Sequence, residues 1–559
     1  MKRFRLIIPQ FPYFNIYSSV VMPPLGAVTV ATCAREFTDF DVELIDENNY
    51  SGAGTETANV DHCVLQEKRP AQYVGFYGGL TSTVPRLYEA ARQYKQMGAV
   101  TIAGGVHMHA MPDEALDSGI DYVVAGEGEY CLPELLKCLE EGGDPATVPG
   151  IIFRRDGRNI ITPPRPPLTD LDSLPDPDFS ILHDKRRRIK VLPISRTRGC
   201  NFNCEFCSVR NHLGPCRSAS PETAFRQFRQ HAELGYKSFF VTDDNFVQDL
   251  DGTKQLCRML IDYCRSSRKK LSIVVQVRAD AARDAEMLNL MREAGVATLC
   301  IGYESPIDAE LRSMKKGVTL AKLEEYTHIL RQHGFCIHGM FIFGYPIADG
   351  KQQPSQITVE ERARHYLDFI RRCKIDTIQV MKPVPLPGTA LRARLEADNR
   401  IFPLDLVGWD KYDGNWVCFQ PDAGCTPREL QHYATWIMRR MYHPLQIAKF
   451  IYMIPNYPFD LAFHTALEAY RGAIRFLRNR PLATIIHNGP RHHFMAVGKF
   501  TAGAVGRARA SVGRRMRNAK LKSIGSLIAK MWKRNFRKER FYEVLDAATR
   551  RIHKSEQKP

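Results

Sequence analysis

No run of about 18 apolar residues occurs anywhere in the 559-residue chain, so the sequence offers no segment expected to cross a bilayer as a helix. The start, Met1-Lys2-Arg3-Phe4-Arg5, lacks the apolar stretch of a secretory signal, and fifteen cysteines without such a signal are expected to stay reduced in a cytoplasmic setting. RNA-recognition motifs and Gly-rich aromatic sheet patterns are also missing, which argues against nucleic acid as the partner. Hydrophobic content of 44% and charged content of 25% are those of an ordinary globular chain, long enough for several domains. The charge is lopsided: of a net +17, residues 501–559 carry +13, from 17 Lys/Arg against 4 Asp/Glu.

The most informative stretch is Arg198-Gly199-Cys200-Asn201-Phe202-Asn203-Cys204-Glu205-Phe206-Cys207. Three cysteines spaced by three and then two residues can wrap one tight loop around a face of an iron-sulfur cluster. Cubane clusters normally take four thiolates, and the next cysteine, Cys216, lies nine residues on in a polar segment. A zinc knuckle would want a fourth ligand at comparable spacing, and three unrelated buried thiols would not need Phe202 and Phe206 between them. A strand-like run, Val191 to Ser195, feeds the loop. The loop resembles the signature of radical SAM enzymes, and the resemblance implies a [4Fe-4S] cluster on Cys200, Cys204 and Cys207 with one iron left open to S-adenosylmethionine (SAM).

Residues 1–145 alternate short apolar runs with helix-like segments, the pattern of a Rossmann-like parallel sheet with helices on both faces. Such sheets bind ligands at the carboxyl ends of their strands, here the turns containing Gly78 to Ser82, Gly104-Gly105-Val106-His107 and Gly126-Glu127-Gly128-Glu129. With Pro23-Pro24-Leu25-Gly26, these turns resemble the cobalamin-binding domain of B12-dependent radical SAM enzymes. The resemblance implies cobalamin contacts at Gly78, Ser82, Gly104, Gly105, His107, Gly126, Glu127 and Gly128. The Asp-x-His-x-x-Gly motif that supplies a cobalt ligand in some B12 proteins does not occur. Residues 146–185 are expected to be a linker, with six prolines in 163–178.

From 186 to 400, six strands alternate with helices, which suggests a partial (β/α)6 barrel with its chemistry at the carboxyl ends of the strands. Polar residues fall there: Asp243 and Asp244 after the second strand, Gln276 and Arg278 on the third, Glu304-Ser305 on the fourth, and the run ending in Gly344 on the fifth. By resemblance Asp243, the Glu304-Ser305 pair and Gly344 are expected to contact SAM, and position at the strand ends adds Asp244, Gln276 and Arg278 to the expected SAM contacts. Residues 401–559 are expected to be mostly helical and basic, with an apolar aromatic patch at Phe450 to Phe459 and an amphipathic basic pattern over 519–547 compatible with an anionic membrane surface.

The whole resembles the subgroup that includes hopanoid methylases and the anaerobic Mg-protoporphyrin ester cyclase, carried by Asp243-Asp-Asn-Phe246, Ile301-Gly-Tyr-Glu-Ser305, Pro387-Gly-Thr389 and Tyr412-Asp-Gly414. It implies an enzyme that methylates an unactivated carbon of a small or lipid-like substrate, fed by a flavodoxin- or ferredoxin-type electron donor. A non-methylating radical cyclase remains open, as does a cobalamin or iron-sulfur sensor without turnover.

Overall fold

The computed structural model describes residues 2–13, 21–56, 59–347, 357–443, 445–478, 503–523, 525–526 and 538–556. The chain forms two compact units: residues 1–374, 379–435 and 537–559 make the first, and 375–378 with 436–536 the second.

The amino-terminal part of the first unit is a seven-stranded sheet. Strands β1 (Arg3–Ile8), β2 (Asp41–Asp46), β3 (Tyr73–Tyr77), β4 (Val100–Gly104) and β5 (Tyr122–Val124) are parallel in the order β2-β1-β3-β4-β5. These strands read as nearly unbroken apolar runs because helices cover both faces. Helix Val84–Gln96 shows the complementary pattern: Val84, Leu87, Tyr88, Ala91 and Tyr94 recur at helical spacing and are buried. Because strand order reverses between β1 and β3, their carboxyl ends diverge and leave a crevice. The sheet continues into an antiparallel hairpin, β6 (Ile151–Arg155) and β7 (Arg158–Ile161), inside the stretch expected to be linker. Thr162 caps its start: Ile151 N donates to Thr162 Oγ1 at 2.8 Å.

The second sheet has six strands in the order β15-β14-β13-β12-β11-β8, with each neighbour one step along the chain. They are β8 (Leu192–Ile194), β11 (Ser238–Val241), β12 (Ser272–Val277), β13 (Val296–Glu304), β14 (Cys336–Ile342) and β15 (Thr377–Met381); between the first two lie the short antiparallel β9 (Thr197–Arg198) and β10 (Arg217–Ser218). Pairs from β8 through β14 are parallel, and helices such as Pro221–Glu233, Leu250–Ser267 and Leu320–Gln332 return the chain each time. In β12, Ile273, Val275 and Val277 are buried while Val274 and Gln276 are half-buried on the opposite face. That alternation is one face under helices and one lining the partial barrel.

Not all of the carboxyl-terminal region stands apart from these sheets. Helix Lys538–Glu556 belongs to the first unit, where Phe541 packs its ring 4.4 Å from that of Trp416 and Arg428 pairs with Asp546. The loop around Trp409 packs against the first domain: Trp409 is buried, 4.9 Å from the His107 ring, and its Nε1 donates to Glu114. The second unit holds helix Leu445–Arg478 and the helical residues 503–523. Of the basic pattern over 519–547, residues 524 and 527–537 lie outside the described residues.

Candidate cofactor site

The cluster loop follows β9, and its entry depends on Gly199. This residue sits at φ 83°, where an added Cβ would meet the Gly214 and Pro215 carbonyl oxygens. The loop is then fixed by backbone bonds and one arginine side chain: Cys200 N donates to Gly214 O (3.2 Å), Cys207 N to Cys204 O (3.1 Å) and Arg210 Nη1 to Cys200 O (3.1 Å). Glu205, between two of the cysteines, is held by the Arg394 guanidinium fork at 2.7 and 2.9 Å and by the Tyr345 hydroxyl at 2.6 Å. Burial alone would push its carboxyl up, but these donors hold it below the ordinary range.

Cys200, Cys204 and Cys207 are all half-buried and free of disulfides. Burial, and the nearby charges of Cys204 and Cys200, push the Cys207 thiol up to about 11. Among the described residues no three His, Cys, Asp or Glu side chains converge as closely as a single metal ion requires. Three thiols on one short loop, near enough for Cys204 and Cys200 to act on Cys207, are the donor set of an iron-sulfur cluster. Cys216 lies alongside: Cys200 Sγ donates to Gln248 Oε1 (3.4 Å), and the Gln248 and Ser218 side chains lie beside the Cys216 thiol.

Four of the barrel residues singled out from the sequence gather here or face the barrel interior. Arg278 lays its guanidinium over Phe202, 3.7 Å from the ring centroid, and its Nη2 donates to Lys316 O at 3.0 Å. Glu304 stands where the β13–β14 register shifts and takes φ 61°, a conformation side-chain-bearing residues rarely adopt. Its Oε1 accepts from Lys316 Nζ at 2.8 Å, and both charges act on the Cys204 thiol. Asp244 accepts from the Gly199 N–H, and burial together with repulsion from Asp243 pushes its carboxyl up to about 6. Gln276 sits on the interior face, opposite Cys300.

Three others are occupied elsewhere. Asp243 is fully buried, and its Oδ1 accepts from Arg196 N (2.7 Å), Thr197 N (3.0 Å) and Ser195 Oγ (3.1 Å), so it fixes the strand leading into the loop. Ser305 is buried, and its Oγ accepts from Ile307 N. Gly344 leaves room for Leu430, which fills the place a Cβ would take.

Above the barrel lies a cavity of about 460 Å³. Its walls come from the crevice of the first sheet, with Gly104, Gly105, Gly126, Glu127 and Gly128 of the expected cobalamin contacts, and from the barrel, with Ser195, Thr242 and Asp244. Leu6, Phe76, Ile102, Val124 and Leu132 make much of it apolar. At Gly105, φ is 112° and a Cβ would strike the Gly78–Gly79 peptide, so the turn closes flat only without a side chain. A wide, partly apolar cleft with glycine turns at its rim fits a large flat macrocycle such as a corrin.

Gly78, Ser82 and His107 do not line the cavity. Gly78 packs against Met108, Ser82 is buried in a short 3-10 turn, and His107 lies between Thr81 (3.3 Å), Glu114 (3.4 Å) and Trp409. Residues the sequence did not single out take part instead. Arg198 Nη1 donates to Glu127 (3.0 Å) and to Glu129 (2.7 Å), while Arg217 Nη1 donates to Glu127 at 2.8 Å. Burial would push the Glu127 carboxyl up, but Arg217, the Leu168 N–H and Arg198 hold it below its ordinary range. His212 also lines the cavity, and burial beside His109 pushes its imidazole down to about 4, so it is neutral at physiological pH.

A parallel partial barrel headed by a three-cysteine loop defines the class. Residues 194–350 match the Radical SAM superfamily, and residues 15–136 match the B12 binding domain. The chain is a cobalamin-dependent radical SAM protein, with a [4Fe-4S] cluster, SAM and cobalamin as its cofactors. It is 26% identical over 406 residues to an uncharacterized methyltransferase of Pyrococcus horikoshii, covering 70% of this chain and 81% of that one. It is equally 26% identical over 432 residues to the anaerobic magnesium-protoporphyrin IX monomethyl ester cyclase of a Synechocystis species, covering 73% and 80%. The structure of the radical SAM methyltransferase TsrM from Kitasatospora setae superposes with a TM-score of 0.62 at 18% identity, over 80% of this chain and 90% of that one, which shows a common fold.

Proposed function

We propose that this protein methylates an unactivated carbon of a small or lipid-like substrate. The observation that carries the reading is the single cavity bounded both by the glycine turns of the first domain and by Asp244 beside the cluster loop. When bound there, the cluster, SAM and cobalamin supply a carbon-centred radical and a transferable methyl group.

The chain's own residues position and insulate. Asp243 and the Glu205–Arg394 pair set the path of the cluster loop. Glu304 with Lys316, and Arg278 over Phe202, are the groups proposed to meet SAM on the barrel side. Gly104, Gly105, Gly126 and Gly128 let the macrocycle approach the backbone closely, and Leu6, Phe76, Ile102 and Val124 keep water from a reactive intermediate. A one-electron donor of the flavodoxin or ferredoxin type and peripheral contact with a membrane complete the reading.

The test is anaerobic incubation of the reconstituted protein with SAM, reductant and a lipid extract from cells lacking it. A product one methylene heavier than its precursor supports methylation. The cyclase relatives favour a second reading, in which a product that has lost hydrogen without gaining a methylene would replace the first. A sensor would form no 5′-deoxyadenosine under the same conditions.

A further inference from the structure

The second unit carries nearly all of the chain's excess charge. Its residues, 375–378 and 436–536, hold 19 Lys/Arg against 3 Asp/Glu, or +16 of the total +17, leaving 59 Lys/Arg and 58 Asp/Glu elsewhere. On that unit, helix Leu445–Arg478 is turned the wrong way for a soluble protein. Ile451, Tyr452, Ile454, Phe459, Phe463 and Tyr470 are 59%, 71%, 52%, 76%, 65% and 64% exposed. At about 100° per residue Tyr452, Phe459, Phe463 and Tyr470 fall within about 40° of one another, with Ile451 about 100° and Ile454 about 160° round from that stripe, and amphipathic helices normally bury such a stripe. The helix's two carboxylates lie off it: Asp460 is half-buried, and Glu468 is engaged by Arg507 (3.0 Å) and Arg471 (3.3 Å). Within the same unit, helical residues 503–523 expose Arg507, Arg509, Arg514, Arg515, Arg517 and Lys520.

We infer that the second unit is a docking surface for an anionic lipid bilayer. The exposed aromatic stripe of Tyr452, Phe459, Phe463 and Tyr470, with Ile451 and Ile454 also exposed round the same helix, suits the boundary between headgroups and acyl chains, and the unit's exposed guanidinium groups suit lipid phosphates. A second copy of this chain would bring +16 against +16 and be repelled. Nucleic acid would take the arginines and rings but has no use for Ile451 and Ile454, whereas acyl chains do. Of the basic tail suggested by sequence alone, residues 503–523 belong to this surface, whereas helix Lys538–Glu556 is packed into the first unit through Phe541, Leu545, Ala548 and Ile552.

The docking concerns binding alone and does not depend on the methyltransferase reading. Full-length protein is floated with phosphatidylcholine vesicles and with vesicles in which roughly a third of the lipid is phosphatidylglycerol, at low and high salt. The expected result is flotation with the anionic vesicles only, weakened by salt, and lowered about tenfold or more by Ile451→Ser/Phe459→Ser/Phe463→Ser at unchanged melting temperature. Arg514→Glu/Arg515→Glu should lower it as well and flatten the salt dependence. Failure of the wild type to float with anionic vesicles overturns the inference. So does a triple serine variant that floats like the wild type, or RNA that binds both proteins equally and displaces the vesicles.

Discussion

Arg198 and Glu127 meet where the two sheets face each other, Nη1 to Oε1 at 3.0 Å. Arg198 lies two residues before the first cluster cysteine, and Glu127 stands in a turn that lines the cavity, so one ion pair ties the two cofactor sites together. Glu129 and Arg217 extend it, with Glu127 half-enclosed among them.

Arg198→Gln leaves two carboxylates facing each other without their shared cation. Breaking a buried pair from one side costs on the order of 3–5 kcal/mol, readable as a lower urea midpoint. The functional outcome expected is uncoupling: 5′-deoxyadenosine continues to form while methylated product falls, raising their ratio about tenfold, as a misplacement near 1 Å can do. Lysine at this position keeps the charge but loses the fork, and should restore stability more than coupling.

Asp244 is open to the cavity yet flanked by Asp243, and its carboxyl titrates near 6 in the folded state against an ordinary value near 4. Below pH about 4 it is neutral in both folded and unfolded chains and contributes nothing. Between about 4 and 6 the folded protein keeps a proton that the unfolded chain has shed, so stability falls as pH rises, and above about 6 the full cost is present. Asp244→Asn should therefore melt higher than wild type at pH 7, equal it at pH 4, and lose any step near pH 6 in SAM binding followed by calorimetry.

Gly105→Val would push a branched side chain into the Gly78–Gly79 peptide at a φ of 112°. The strain, of order 1–3 kcal/mol before any clash, falls at the cavity rim. Corrin absorbance in the purified protein should drop severalfold at an iron content equal to wild type, separating this turn from the cluster loop.

Much of the architecture was legible because strand and helix periods differ so plainly. The six strands expected between 186 and 400 all form, among them 272–277 and 377–381. The β6–β7 hairpin escaped notice because it abuts a proline-rich stretch and is polar on its outer side. Around the site, the thiol spacing was readable, but partnerships spanning many residues were not: nothing local to Glu127 announces Arg198 or Arg217, 71 and 90 positions away. One distinction was available in principle. Consecutive strand residues alternate faces, so Thr242 and Asp244 share the cavity side while Asp243 points into the protein. Glycines are harder, since Gly104 lines the cavity whereas Gly344 merely yields to Leu430, and both read alike in sequence.

The most direct measurement is iron content with SAM cleavage in anaerobically reconstituted protein, comparing wild type with Cys200→Ala/Cys204→Ala/Cys207→Ala. The account requires about four irons per wild-type chain, reductive release of 5′-deoxyadenosine, and loss of both in the triple variant, with corrin binding retained. A triple variant that keeps the wild-type iron load and still cleaves SAM would contradict it.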